Sequence, residues 1–462
     1  MKPPAFLSGI CSEPMRILIE NGVPNLHNLG DLAMLQVAIK RLQYLWPHAS
    51  IQVLTARPDL LSKYCPEVTP ISARGRDLWI RRSQHLLGRV HHYLPAVASR
   101  PLGRFADEVV RRWPDFVEQV TRLKMRCNGE SSPEMLGFLE ALKQADLVVL
   151  SGGGDFNDEF ESSALTEVAL LEMAIQRGAA TAILGQGIGP FGSHTSALGE
   201  KLRAVLPVVD WICLRERLLG PSVLGTLGLD ASRFAVTGDD AVELAYSTSA
   251  SPYAKGIGVN LRVATYSGFA EDDIPTIRSV LQDAAQRYHA PLVPVPISLS
   301  ECPSDMETII RLLPDEPDRP WQEQVVDTPK DVIRRVAQCR LVVTGSYHGA
   351  VFALSQGIPA IGLARSDYYM SKFVGLADQF GTGCTVVRAD GHEWPASLVQ
   401  AINRVWASAE EVRLPLIRAA ADQIRLGYAA YERLYELVEA RLRRRAAHGR
   451  NLPVSHNGTP RT

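Results

Sequence analysis

The chain has 462 residues, 46% of them apolar, with 49 Lys and Arg against 50 Asp and Glu and a formal net charge of -1. Such a length exceeds one ordinary domain and supports two or three cores, while the charge balance argues against nucleic-acid binding as the main task. The seven scattered cysteines show no metal-ligand spacing, the start "MKPPAFLSGICSEPMRILIE" makes a poor signal peptide, and no run reaches the roughly 20 apolar residues of a membrane span. No metal or cofactor is expected, and a reduced, cytoplasmic setting is.

Along the chain, β-rich apolar runs alternate with amphipathic helical runs, the pattern of an α/β protein with parallel sheets. Residues 15–20 read as the first strand. Leu32, Leu35, Ile39, Leu42 and Leu45 keep helical spacing after Asp31, and 51–55 read as the next strand. Residues 72 to about 135 break the pattern. They are rich in Arg, with Trp79, His85, His91, His92 and Tyr93 interleaved, and read as a helical insertion. That insertion is either a solvated excursion or a surface for an anionic lipid-linked or polymeric substrate. Alternation resumes at "ADLVVLSGGGDFND" and runs through "GQGIGPF", "DWICLRERLL" and "FAVTGDDAVEL". A linker of small residues, 246–256, follows. A second series starts at "GIGVNLR" and continues through "APLVPVPIS", "EQVVD", "RLVVTGSYHG" and "IPAIGLA". The expected organisation is therefore an N-terminal half over 1–245, a C-terminal half over 257–406, a long helix over 407–446 packed back across the first half, and a polar, disordered tail over 447–462.

Ligands of open parallel sheets gather at the carboxyl ends of strands, so the runs that follow strands are the candidate site. In "NGVPNLHNLGDLAML", Asn28, Gly30 and Asp31 stand between strand and helix. Gly30 permits close backbone approach and a helix N-terminus favours an anion, although Asp31 is also a plausible helix cap. In "SGGGDFND", Gly152, Gly153 and Gly154 suit a backbone that approaches a ligand, without the Lys-Ser/Thr ending of a P-loop or the spacing of a dinucleotide fingerprint. "GQGIGPF" adds Gln186, which donates and accepts. Arg215, at a strand end in "CLRERLL", can grip a phosphate or carboxylate bidentately, with Arg217 as a competitor. Paired Asp239 and Asp240 in "TGDDA" could share a proton or cap a helix. His348, in "TGSYHGAVFALSQGIPAIGL", opens a helix whose dipole disfavours the imidazolium, leaving an imidazole for acid or base work beside Ser346. Lys372, one strand later, can reach the same cleft. No GxSxG or HExxH motif occurs.

The ordered set "NLGDLAML", "LSGGG", "GQGIGPF", "LRE", "TGDDA", "GVNLR" and "GSYHGAVFALSQGIPAIGL", followed by Lys372, resembles the polysaccharide pyruvyl transferase family. The resemblance implies a GT-B-like arrangement of two Rossmann-like halves with an interdomain cleft. It also implies phosphoenolpyruvate as co-substrate and transfer of its pyruvate unit onto two hydroxyls of a saccharide acceptor as a ketal. His348 falls at the family's motif histidine, and Arg215 with Glu216 at its Arg-acidic pair. Two departures stand out: Leu218 and Leu219 where many relatives carry Ser, and Tyr347 where many carry Arg. Two other readings stay open, a GT-B glycosyltransferase using a nucleotide sugar and a non-catalytic glycan-binding or assembly protein. The sequence also leaves open a lipid-linked acceptor and peripheral contact with the inner membrane face.

Overall fold

The computed structural model describes residues 14–84, 112–128, 131–191, 197–248, 254–300, 304–313 and 325–450. The N-terminal half is a seven-stranded sheet: β1 (Arg16–Glu20), β2 (Ser50–Thr55), β3 (Thr69–Ser72), β4 (Leu147–Phe156), β5 (Ala180–Ile188), β6 (Trp211–Leu214) and β7 (Phe234–Val236), in the order β3-β2-β1-β4-β5-β6-β7. The C-terminal half is a five-stranded sheet of β8 (Gly256–Asn260), β9 (Leu292–Pro294), β10 (Cys339–Thr344), β11 (Ala360–Ala364) and β12 (Cys384–Arg388), in the order β12-β11-β10-β8-β9. Every strand pair within these sheets is parallel. Helices cover both faces, so central strands such as β5 and β11 are buried along their whole length and read in sequence as continuous apolar runs rather than alternating ones.

Strand order reverses once in each sheet, between β1 and β4 and between β8 and β10. At these two points the loops leave in opposite directions and open a crevice at the carboxyl ends of the strands. The halves meet along the short helix Ala241–Tyr246, which follows β7 and packs on the helix Tyr347–Ser355 that follows β10. Val242 and Ala245 share one apolar core with Ile17 and Leu35 of the first half and Val351 and Phe352 of the second. An antiparallel bridge, Asn28 with Ser298, adds a second seam: Leu29 N–H donates to Ile297 O, and Leu299 N–H to His27 O, both at 2.8 Å. Asp305 holds the far side of that seam, its Oδ2 accepting from Ile297 N, Ser298 N and Asn260 Nδ2.

The final helix runs from Trp394 to Arg450, beginning well before the expected residue 407. The sequence offers no break between the two stretches, and Leu398, Ala401, Ile402 and Val405 bury its first turns against the second half. Farther on it lies across the first half, where Trp46 Nε1 donates to Glu439 Oε1 at 3.1 Å and Arg441 pairs with Asp210 at 2.9 Å. Between these ends sits a buried charge cluster. Arg41 contacts Asp240 at 2.6 Å and Glu243 at 2.9 Å, and Tyr431 and Tyr428 of the long helix donate to the same two carboxylates. The two tyrosine rings flank the guanidinium at 5.0 and 4.9 Å.

Of the Arg-rich insertion, the helices Ala73–Gln84 and Pro114–Cys127 fall within the described residues. There Trp79, Val117 and Met125 join the core of the first half, and Trp79 Nε1 donates to Met173 Sδ, so these apolar residues serve packing. His85, His91, His92 and Tyr93 lie outside the described residues, as do 451–462 of the expected tail. The "EQVVD" run is no strand over its described residues: Val325 to Asp327 lead into the capping box of Thr328 and Asp331. Among the described residues no helix is long and apolar enough to cross a membrane.

Removing one member of a buried ion pair strands the other without solvent, at about 3–5 kcal/mol. Arg41→Met is therefore expected to lower unfolding free energy by that order, read as a drop in urea midpoint at unchanged slope.

Candidate functional site

A cleft of about 270 Å³ opens where the two reversals face each other. Its wall is built from residues just beyond β1 (Gly22, Asn25, His27, Asn28), at the end of β4 (Gly154, Asp155), and just beyond β6 (Arg215), β8 (Arg262, Tyr266), β10 (Ser346, Tyr347, His348) and β11 (Tyr368, Tyr369, Lys372). Both sheets thus deliver side chains from their carboxyl edges, as the topology requires.

His348 lies in the first turn of the helix Tyr347–Ser355 and is 5% exposed. Its ring packs so closely on the first helix, Leu29–Leu45, that a Cβ added at Gly30 would overlap it. The function of Gly30 is therefore to admit the imidazole. The His348 Nε2 stands 3.6 Å from Asp239 Oδ2, beyond hydrogen-bond reach, and neither atom has a hydrogen-bond partner. Burial would raise the Asp239 carboxyl, but His348 and the Arg215 guanidinium outweigh it and hold Asp239 below its ordinary value. An ionised carboxylate therefore faces the imidazole at close range and favours its protonated form. Asp239 also accepts Ala241 N–H through Oδ1 at 2.8 Å, which fixes its direction.

Arg215 is buried, 3.9 Å from Asp239, and stacked 4.2 Å over the Tyr347 ring. Gly154 and Gly187 leave space for it: a Cβ at Gly154 would come within 2.5 Å of Arg215 Nη2 and 2.6 Å of Lys372 Nζ. Lys372 contacts the Tyr368 hydroxyl, which itself donates to Gly154 O at 3.0 Å. Burial and then Arg215 push the Lys372 ammonium down to about 7, against the pull of Asp155, Asp31 and Asp239. Burial and then Asp31 push Asp155 up to about 6, and burial raises Asp31 in spite of the nearby cations. On the opposite lip Arg262 is held by Asp305 at 2.9 Å and by the Tyr266 hydroxyl at 2.7 Å. Phe160, Tyr266, Tyr368 and Tyr369 form a connected aromatic wall, with ring centroids 5.3–6.2 Å apart.

Of the residues expected from sequence, the cleft brings together Asn28, Asp31, Gly154, Arg215, Ser346, His348 and Lys372. Gly152 and Gly153 sit inside β4 with φ of 61° and 153°, against Met34 and Gln186 respectively, and off the cleft wall. Gln186 is buried behind them, neither amide atom with a hydrogen-bond partner. Asn28, not Asp31, caps the first helix, accepting Gly30 N and Asp31 N. With Leu29 N given to Ile297 O and Leu32 N to Asn28 O, the first-turn amides of this helix are engaged and offer no anion cradle. Arg217 is an exposed partner of Asp378, and Glu216 accepts the amides of Leu218, Leu219 and Gly220. Arg262, Tyr266, Asp155 and the tyrosine wall were not anticipated. The strand-end rule would have found Arg262, two residues beyond β8, and Asp155 after the glycine run. Nothing in the local sequence marks the tyrosines, whose grouping is tertiary.

The model of the polysaccharide pyruvyl transferase family matches residues 28–367, most of the chain, and the protein belongs to that family and to its class, the transferases. No curated protein matches the sequence. Among solved structures, the chain is similar to UDP-GlcNAc 2-epimerase from Neisseria meningitidis bound to UDP-GlcNAc, with a TM-score of 0.51 and 11% identity over 92% of this chain and 100% of that one. It is also similar to Anabaena HepE in complex with UDP, with a TM-score of 0.49 and 11% identity over 92% of this chain and 100% of that one. At such identities the likeness concerns the fold alone: two Rossmann-like halves in the GT-B-like arrangement.

Gly30→Ala is expected to displace the buried His348 ring, cutting turnover about 10²-fold, the scale of a 1 Å misplacement, and lowering unfolding free energy by about 1–3 kcal/mol through overpacking. The depressed Lys372 gives a stability test as well. Between about 7 and 10.5 the unfolded chain binds a proton that the folded site does not, so this group makes stability rise with pH across that window and penalises folding fully below it. Lys372→Met should be more stable than wild type at pH 7, with a flatter rise in urea midpoint from pH 7 to 10.

Proposed function

We propose that the protein transfers the pyruvate unit of phosphoenolpyruvate to two hydroxyls of a saccharide, forming a cyclic ketal and releasing phosphate. The observation that carries this reading is the convergence of His348 and three cationic side chains, Arg215, Arg262 and Lys372, on one small cleft. Phosphoenolpyruvate has two anionic ends, a carboxylate and a phosphate, and guanidinium groups bind both bidentately. Arg262, from the edge of β8, offers the guanidinium that position 347 lacks in this chain. Family membership supports pyruvyl transfer.

The residues divide the chemistry as follows. His348, as acid, delivers a proton to C3 of the enol, which becomes a methyl group, and C2 becomes electrophilic. The first sugar hydroxyl adds to C2 and gives its proton back to the imidazole, with ionised Asp239 stabilising the imidazolium that results. The C2–O bond to phosphate then breaks, with Arg215 and Arg262 bearing the departing charge. The second hydroxyl closes the ring on C2, and its proton leaves with the phosphate. Of the two hydroxyl protons, one replaces the proton spent on C3 and one ends on phosphate, so His348 returns to its starting state. Lys372, near 7, takes up a proton as an anion settles beside it.

Calorimetric titration with phosphoenolpyruvate, beside UDP- and GDP-sugars, tests the donor. Wild type is expected to bind phosphoenolpyruvate and Arg215→Ala to bind it more weakly. Binding of a nucleotide sugar alone would replace this reading by glycosyl transfer. In the same reaction His348→Ala should lose about 10²–10⁴-fold in phosphate release, and near-full turnover would remove His348 from the mechanism.

A further inference from the structure

Behind the cleft lies a second and larger cavity of about 620 Å³, inside the range of roughly 300–1,000 Å³ common for small-ligand sites. The two share Gly22 and Ser163 as walls. Gly22 is the thin point between them: a Cβ there would lie 2.7 Å from Asp155 Oδ2, on the cleft side, and 2.9 Å from Glu167 Oε1, on the cavity side. A side chain at position 22 would therefore crowd both carboxylates at the boundary.

The cavity is built to hydrogen-bond. Glu20 and Glu167 are 1% and 4% exposed, both line it, and each has an Oε1 without a hydrogen-bond partner. Unpartnered buried carboxylate oxygens are costly unless something donates to them. Glu20 is anchored through its other oxygen by Arg76, so its free oxygen is fixed in place. Burial and then Asp155 push the Glu167 carboxyl well above its ordinary value, which favours the form that can donate as well as accept. Arg81 and the hydroxyls of Ser162 and Thr166 complete the polar wall, while Pro24, Ile80 and Leu165 supply an apolar floor.

The sign of the charge decides what fits. Even with Glu167 held toward its neutral form, Glu20, Asp77 and Glu161 outnumber Arg76 and Arg81 on the wall, so a second anion is disfavoured. A neutral polyhydroxylated molecule suits the wall: its hydroxyls donate to the stranded carboxylate oxygens and accept from the guanidinium groups, and its C–H faces lie on the apolar floor. We infer that this cavity is the acceptor subsite, binding the neutral saccharide so that its reacting hydroxyls project past Gly22 into the cleft. The inference rests on the reading of the protein as a transferase acting on a saccharide.

Saturation-transfer NMR tests it without the donor, using methyl α-D-glucopyranoside, methyl β-D-galactopyranoside and methyl α-D-mannopyranoside as probes. At least one glycoside is expected to receive saturation from wild type and from His348→Ala. The transfer should be lost in Ser162→Trp, which fills the cavity from an exposed position, and in Glu167→Leu, which removes its buried hydrogen-bonding group; a thermal melt of each variant confirms folding. Silence from all three glycosides, or transfer unaltered in both variants, overturns the inference. These outcomes are independent of the donor. Glycoside binding with no response to phosphoenolpyruvate would sink the pyruvyl reading and keep the subsite, whereas phosphoenolpyruvate binding with no glycoside response would do the reverse.

Discussion

Two adjacent carboxylates set the geometry on which everything else depends. Asp239 and Asp240 follow the last strand of the first half and point in different directions. Asp240 turns inward to Arg41 and the Tyr431 hydroxyl, tying the first helix to the long terminal one. With Asp240 so held, the backbone leaves Asp239 facing the other half, where it meets His348 and Arg215. Buried charges at full desolvation tolerate little displacement, so the clamp on one residue fixes the aim of its neighbour. His348 belongs to the second half and Asp239 to the first; their separation is set by how the helix Ala241–Tyr246 packs on the helix Tyr347–Ser355.

The cleft also balances charge in a way no single residue reveals. Arg215, Arg262 and Lys372 confront Asp31, Asp155 and Asp239. An anionic ligand entering this mixture strengthens the protonated form of Lys372 and weakens the case for ionised Asp31 and Asp155, both already raised by burial. The site is thus a set of coupled proton reservoirs whose occupancy shifts with the ligand.

Much of this was legible in the sequence because strand ends are legible. The parallel α/β pattern, the division into halves, and the placing of Arg215, His348 and Lys372 near one crevice all follow from apolar runs and what comes immediately after them. The glycine-rich stretch was harder. Gly152 and Gly153 look like a ligand loop, yet β4 continues through them to Phe156, and their missing side chains make room for Met34 and Gln186. Gly30 likewise looked like an anion cradle and proved to be the socket of a histidine more than 300 residues away. Sequence shows that a glycine is required for space without showing what fills the space. The tyrosine wall and the second cavity arise where segments distant in sequence meet, and local pattern holds no trace of them.

The terminal helix is bound to both halves, through its first turns to the second and through its last turns to the first. A continuous rod fixed at both ends acts as a splint: the halves cannot swing apart as free bodies joined by a flexible linker. Widening of the cleft must bend the rod. Pro415, just before the helix crosses from one half to the other, is where an intrahelical hydrogen bond is already missing. Bending therefore concentrates at that residue, and the cleft opens as a narrow rotation about one axis rather than as a wide gape.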